Sequence, residues 1–283
     1  MTTTYPSLIS PKANAGDFYG RFREIVSDPL NMLIARHPLA GHMVEDGTVI
    51  LHNGNRVPAG GANAYYGSFS YILMINRGVH EPLEEYVFQE LLKVLPEAPN
   101  MLELGAYWAH YSMWLKKLRP QASVHMVEPN ADNIQTGKDN FAFNKFTGEF
   151  VQAFVGHGHF GVDTYLREKG ISKLNILHAD IQSFEVEMLK DSSQALQSRA
   201  IDYLFVSTHT QELHTQVVAI LQEHGYRVEV SSDFDFETTS YDGFIFASSP
   251  LKDPVFKNFK PMSRQKIPNT TTQETLAYLT SNA

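Results

Sequence analysis

The chain has 283 residues, 43% of them hydrophobic and 19% charged, which is enough apolar matter for a sizeable core and excludes a disordered chain. Lysine plus arginine number 23 against 31 aspartate plus glutamate, a net charge of −8, which argues against nucleic acid held by a basic face. There is no cysteine, so disulfides, thiolate zinc sites and cysteine nucleophiles are excluded; twelve histidines leave metal binding through imidazole and carboxylate open.

Met1-Thr-Thr-Thr-Tyr-Pro6 lacks the basic and apolar segments of a secretory leader, and the longest apolar run, around Tyr71 to Ile75, is too short to span a bilayer. A soluble, cytoplasmic protein without membrane partners is expected. Residues 1–80 are rich in turns. Val49-Ile-Leu-His-Asn-Gly-Asn-Arg-Val57 predicts two short strands around an Asn53-Gly54 turn, and a second apolar segment, Tyr65 to Ile75, ends at Asn76-Arg77-Gly78. This zone is read as a cap or dimerisation appendage, which leaves a homo-oligomer open.

Residues 81–249 alternate in pattern. Pro82 opens a helix whose apolar stripe is Leu83, Val87, Leu91 and Val94 or Leu95, with Glu84 and Glu85 expected as solvated acids of the first turn, a position facing the cleft being the alternative. Strands are expected at Met101–Leu104, Val124–Val127, Phe150–Val155, Leu174–His178, Ile201–Val206, Tyr226–Val230 and Gly243–Ala247. Helices separate most of them, one being Gln211–His224 with Gly225 after its end. This is an α/β chain with a mostly parallel sheet covered on both faces, and with an antiparallel hairpin at one edge. Residues 250–283 are Pro-punctuated and polar, and read as a surface-wrapping extension.

The stretch Met101-Leu-Glu-Leu-Gly-Ala-Tyr-Trp-Ala-His-Tyr-Ser-Met-Trp114 runs from strand through Gly105 into helix, and the next strand ends in Val127-Glu-Pro-Asn130. Ligands of open α/β sheets sit at such strand ends, where an acid accepts the ribose hydroxyls of an adenosine. A dinucleotide needs G-x-G-x-x-G for its pyrophosphate, but Tyr107 and His110 stand at the second and third glycine positions. S-adenosyl-L-methionine has no phosphate and needs a glycine and an acid near its ammonium, which Gly105 and Glu103 supply. Expected cofactor contacts are Glu103, Gly105, Ala106, Tyr107 and Ser112 around the first turn, and Glu128, Pro129 and Asn130 around the second.

These stretches resemble the FkbM-like S-adenosylmethionine-dependent methyltransferases. The resemblance also rests on Gly78-Val-His-Glu-Pro-Leu-Glu-Glu85, Asn140-Phe-x-x-Asn144, Leu177-His-Ala-Asp-Ile-Gln-Ser-Phe-Glu185 and Ser240-Tyr-Asp-Gly243, and it covers roughly residues 78 to 249. It implies a class I, seven-stranded methyltransferase fold that modifies hydroxyls of sugars, glycan precursors or secondary metabolites. Two departures are Tyr107 for the usual second glycine and Ser183 for the glycine common in Asp180-Ile-Gln-Ser-Phe-Glu185.

Methyl transfer to an alcohol requires alignment and removal of a proton. Asp180, ending the fourth core strand, is the expected base or metal ligand. His178 shares its strand face, and His209 is a base or substrate hydrogen-bonder. A divalent metal on Asp180, His209 and His214 is a less favoured use of the same edge. His157-Gly-His159 is expected as an adenine-side loop, and Tyr107, Trp108 and Tyr111 as core or as walls of an acceptor pocket. Two other activities fit the same residues: a metal hydrolase using His178, Asp180 and His209, and a nicotinamide oxidoreductase with a degenerate turn.

Overall fold

The computed structural model describes residues 17–61, 63–65, 67–156 and 158–283. Helix α1 (Phe18–Ser27) is capped by the Asp17 carboxylate, which accepts from the Gly20 amide. A small hairpin follows, β1 (Thr48–Ile50) with β2 (Arg56–Pro58), then the short helix α2 (Tyr71–Ile75) and α3 (Pro82–Leu92). Strands and helices then alternate: β3 (Asn100–Leu104), α4 (His110–Leu118), β4 (Ser123–Glu128), α5 (Ala131–Phe143), β5 (Glu149–Gln152), α6 (Val162–Lys169) and β6 (Leu174–Ala179). The series continues with α7 (Glu185–Asp191), α8 (Ser193–Gln197), β7 (Ile201–Thr208), α9 (Gln211–Glu223), β8 (Arg227–Ser232), β9 (Gly243–Ser248) and, in the tail, α10 (Thr272–Asn282).

The seven large strands lie in the order β5-β4-β3-β6-β7-β9-β8. Pairing is parallel from β5 through β7, while β9 runs antiparallel to both β7 and β8. All seven expected strands are present. Only β5 is clearly shorter than expected, because Val155 leaves the ladder for an isolated bridge to Phe160.

Alternation along the strands divides the core into two layers. In β7, Tyr203 and Phe205 join one layer and Leu204 and Val206 the other. The first layer packs α3, α4 and residues from 17–80 and the tail, including Leu30, Leu51, Ile72 and Phe259; the second packs α6, α7, α8 and α9. The amino-terminal segment therefore shares a core with the sheet. Gly78 shows how tightly it does so: φ is +85°, and a Cβ there would meet the His52 backbone nitrogen at 2.1 Å. The tail caps α10 with a Thr271–Glu274 capping box, and the Asn282 carbonyl accepts from the Tyr86 hydroxyl on α3. No helix among the described residues is long and apolar enough to cross a membrane.

Candidate active site at the carboxyl edge of the sheet

Strand order reverses between β3 and β6, and a cleft of about 580 Å³ opens at their carboxyl ends. The first turn, between β3 and α4, is drawn against the next crossover. Gly105 has φ +71°, and a Cβ on it would fall 1.7 Å from the Asp180 carbonyl oxygen, so no other residue fits. Gly105 and Ala106 both donate their amides to the Val127 carbonyl. Tyr107 and Ala109 follow at φ 42° and 62°, and Gln182 and Ser183 after β6 at φ 52° and 84°. Both departures from the glycine pattern therefore stand where the backbone is left-handed, a strained choice for a side chain.

Glu128 is buried at the cleft wall. Its Oε2 accepts the Tyr107 amide (3.1 Å), and its Oε1 accepts the Asn130 amide (2.9 Å) and Asn133 Nδ2 (3.1 Å). With two acceptor sites per oxygen, Oε2 retains room for a hydroxyl donor, whereas Oε1 takes one only if Asn133 yields. Glu103, also buried in the wall, accepts the Ser112 amide of α4 at 3.0 Å, and burial raises its pKa. A ligand ammonium beside it would restore the charged form. Gly105, Ala106, Tyr107 and Pro129 line the cleft as expected. Ser112 and Asn130 do not: Ser112 is buried behind the turn, and Asn130 caps α5 by accepting the Asp132 and Asn133 amides. Phe154 and Val155 form the wall after β5, His159 is exposed beside Phe154, and His157 lies outside the described residues.

Behind the cofactor side, His178 lines the floor, with its Nε2 2.5 Å from Glu84 Oε1, while Glu84 Oε2 accepts the Ser207 hydroxyl at 3.2 Å. Burial opposes the imidazolium, but the Glu84 charge and hydrogen bond outweigh it and raise the pKa to about 8. Nδ1 of His178 has no hydrogen-bond partner among the described residues. The expectation that Glu84 and Glu85 are solvated fails. Both are buried, because histidines from distant segments (His178 for one, His52 and His80 for the other) face them. Glu81, on the cleft wall, accepts the Tyr111 hydroxyl and is raised to about 8 by burial and by neighbouring Glu84.

Asp180 is half-buried on the rim and 3.1 Å from His209 Nε2. His209 Nδ1 lies 2.8 Å from Glu185 Oε1, and Asp242 Oδ1 is 3.6 Å from Nε2. Burial works against the charged ring, yet hydrogen bonds to Asp180 and Glu185 and the Asp242 charge raise its pKa to about 11. These contacts favour the protonated form of the ring, which suits a donor to the acceptor substrate. His214 does not join this group. It sits in the first turn of α9 facing inward, its Nδ1 at Thr208 Oγ1 and its Nε2 at Ser231 Oγ, both 2.9 Å. The third acid beside Asp180 and His209 is instead Asp242, within 4.8 Å of both. His178 is bound to Glu84 and takes no part in that group, so the triad expected of a metal hydrolase is not assembled.

Sequence reasoning gave no role to Asp242 or Arg21, and it offered a cleft-facing Glu84 only as the second reading. Asp242 stood inside Ser240-Tyr-Asp-Gly243, a stretch singled out without a role. Arg21 reaches the cleft from α1, its guanidinium 4.3 Å from the Phe69 ring centre and 4.4 Å from that of Tyr241, and no local pattern marks it.

The strand order, with a single antiparallel strand next to the edge and the cleft at the reversal point, is the arrangement expected of the class I enzymes named above. The chain has the class I methyltransferase fold. No family model matches the sequence, and no curated protein does. Solved structures similar to this chain include the precorrin-6y C5,15-methyltransferase of Geobacter metallireducens GS-15 (18% identity, 58% of this chain and 86% of that one, TM-score 0.42). Others are TrmK of M. capricolum in complex with S-adenosyl-homocysteine (12%, 69% and 81%, 0.42) and the ribosomal protein L11 methylase of Lactobacillus delbrueckii subsp. bulgaricus (10%, 60% and 80%, 0.43). The chemistry of the cleft has to come from its own side chains.

Proposed function

We propose that the protein is an S-adenosylmethionine-dependent O-methyltransferase of the FkbM-like kind, acting on a hydroxyl of a sugar, glycan precursor or secondary metabolite. The observation that carries this reading is the pairing, in one cleft, of a phosphate-free glycine turn with a carboxylate-paired histidine in the floor. S-adenosylmethionine, when bound, supplies an electrophilic methyl group. Glu103 would hold the ammonium, Glu128 Oε2 would accept a ribose hydroxyl, and the Gly105 turn would leave room for the amino-acid part. His178 accepts the hydroxyl proton at Nδ1 while Glu84 holds Nε2–H, which fixes the tautomer with its lone pair on Nδ1. Asp180 and the His209 imidazolium orient the acceptor by one acceptor and one donor group. Tyr65, Tyr107, Trp108 and Tyr241 supply flat apolar walls suited to a sugar ring or a fused-ring metabolite.

Calorimetric titration with S-adenosylhomocysteine tests the reading. Saturable binding is expected, with none for NAD, and Glu128→Ala should weaken it by about 1–3 kcal/mol, the worth of a hydrogen bond to a charged group. Absence of binding by the wild-type chain would overturn the assignment.

A further inference from the structure

Glu85, on the buried side of α3, is the hub of a second polar cluster that the proposed chemistry leaves unused. His52 follows β1, His80 precedes α3 and His110 opens α4, and all three reach this one carboxylate. His52 Nε2 is 3.2 Å from Glu85 Oε2, His110 Nε2 is 3.7 Å from Glu85 Oε1, and His80 Nδ1 is 2.5 Å from Glu85 Oε1. None of the four side chains is more than 3% exposed.

The contacts are close without being aligned as hydrogen bonds. His52 Nε2, both ring nitrogens of His110 and Glu85 Oε2 lack a hydrogen-bond partner among the described residues. Buried polar groups are normally paired, so the three facing atoms among these, His52 Nε2, His110 Nε2 and Glu85 Oε2, call for a shared partner. Neutral imidazole with carboxylate is the donor set of a divalent first-row ion.

Spacing agrees. Ligands about 2.0–2.1 Å from one ion in a tetrahedron stand about 3.3 Å apart, and the facing atoms of His52, Glu85 and His110 all lie within 4.8 Å of one another. We propose that His52, Glu85 and His110 form a site for one divalent transition-metal ion such as Zn²⁺, with water in the fourth position. His80 then acts from behind: its ring and its backbone amide, 3.0 Å from Glu85 Oε1, orient the carboxylate. The Trp108 ring, stacked on His110 at 5.1 Å, and Trp114, 4.4 Å from His52, shield the site. The ion would fasten the amino-terminal layer to α3 and α4, and so fix the helix turn that carries Glu84. The inference stands whether or not the cleft methylates anything.

The test uses the full chain, stripped by chelator and titrated with Zn²⁺ alone and with Co²⁺ alone. One equivalent should bind by elemental analysis, Co²⁺ should give the intense visible bands of a tetrahedral site, and saturating Zn²⁺ should raise the melting temperature by several degrees. His52→Gln and His110→Gln, tested separately, should each lower affinity at least tenfold, while Asp180→Asn, in the other carboxylate–histidine group, should keep the full equivalent. Failure of the stripped wild type to bind Zn²⁺ or Co²⁺ would overturn the proposal. Loss of the equivalent in Asp180→Asn, with retention in both histidine variants, would do so too. Should a histidine variant fail to fold, the wild-type stoichiometry, the Co²⁺ spectrum and the Asp180→Asn control still decide between those outcomes.

Discussion

Two clusters in this molecule are opposites in composition. Around Glu85, three imidazoles surround one carboxylate; around His209, three carboxylates surround one imidazole. The first is fully buried and near neutral, with one ring charged at most and several lone pairs idle. The second lies at the cleft rim, carries excess negative charge and satisfies it by binding a proton tightly on His209. Counting metal-ligating residue types would rank the two alike. What separates them is burial and charge: the carboxylates around His209 strengthen its hold on a proton, whereas around Glu85 imidazoles outnumber acids and several ring atoms have no hydrogen-bond partner among the described residues.

Removing either hub sharpens that contrast. Glu85→Ala should destabilise the fold by about 3–5 kcal/mol, read from urea unfolding, since a buried pair loses its only negative member. A loss below about 1 kcal/mol would mean that the histidines around Glu85 do not depend on its charge. Next in size, His178→Gln should lower kcat about 10²–10⁴-fold with S-adenosylhomocysteine affinity unchanged. In the wild type, kcat/KM should climb as pH rises through about 8, because only the deprotonated ring accepts a proton. A flat profile across pH 7–9 would remove His178 from the chemistry. Smallest is His209→Asn. The raised pKa of His209 gives stability that is whole below about 6.5 and is lost as pH rises towards about 11. The melting temperature of wild type over variant should therefore be highest near pH 6 and shrink steadily up to pH 10; an advantage that grows with pH would show that the carboxylates do not hold that proton.

The fold was largely legible because its signals are local. Alternating apolar residues mark each strand, and Pro82, Gly105 and Gly225 punctuate the helices where the structure needs them. The wall of the cleft was legible for the same reason: in a parallel sheet, residues at the ends of β3, β4 and β6 must meet at one edge, so the placing of Glu103, Glu128 and Asp180 there follows from strand assignment alone. Glu84 and Glu85 were misread by a rule that is sound for an exposed helix, where first-turn acids face water and the dipole. Nothing near them in the chain announces that His52, His110 and His178 arrive from three other elements. His214 failed differently, since a position in the first turn of α9 leaves the direction of the ring undecided, and Ser231 and Thr208 claimed it.

The placement of β9 has a consequence for how the chain assembles. β7, eight residues all buried, borders β6 on one side and β9 on the other, yet β9 is made only after α9 and β8. During synthesis at about 5–20 residues per second, the outer edge of β7 stays unpaired for seconds after its neighbours have formed. β8, although it runs parallel to β7, does not fill the gap, because it pairs only with β9. The β8–β9 hairpin thus works as a late closure, and a nascent chain halted before Gly243 would present a long, apolar, sticky edge to any other chain nearby.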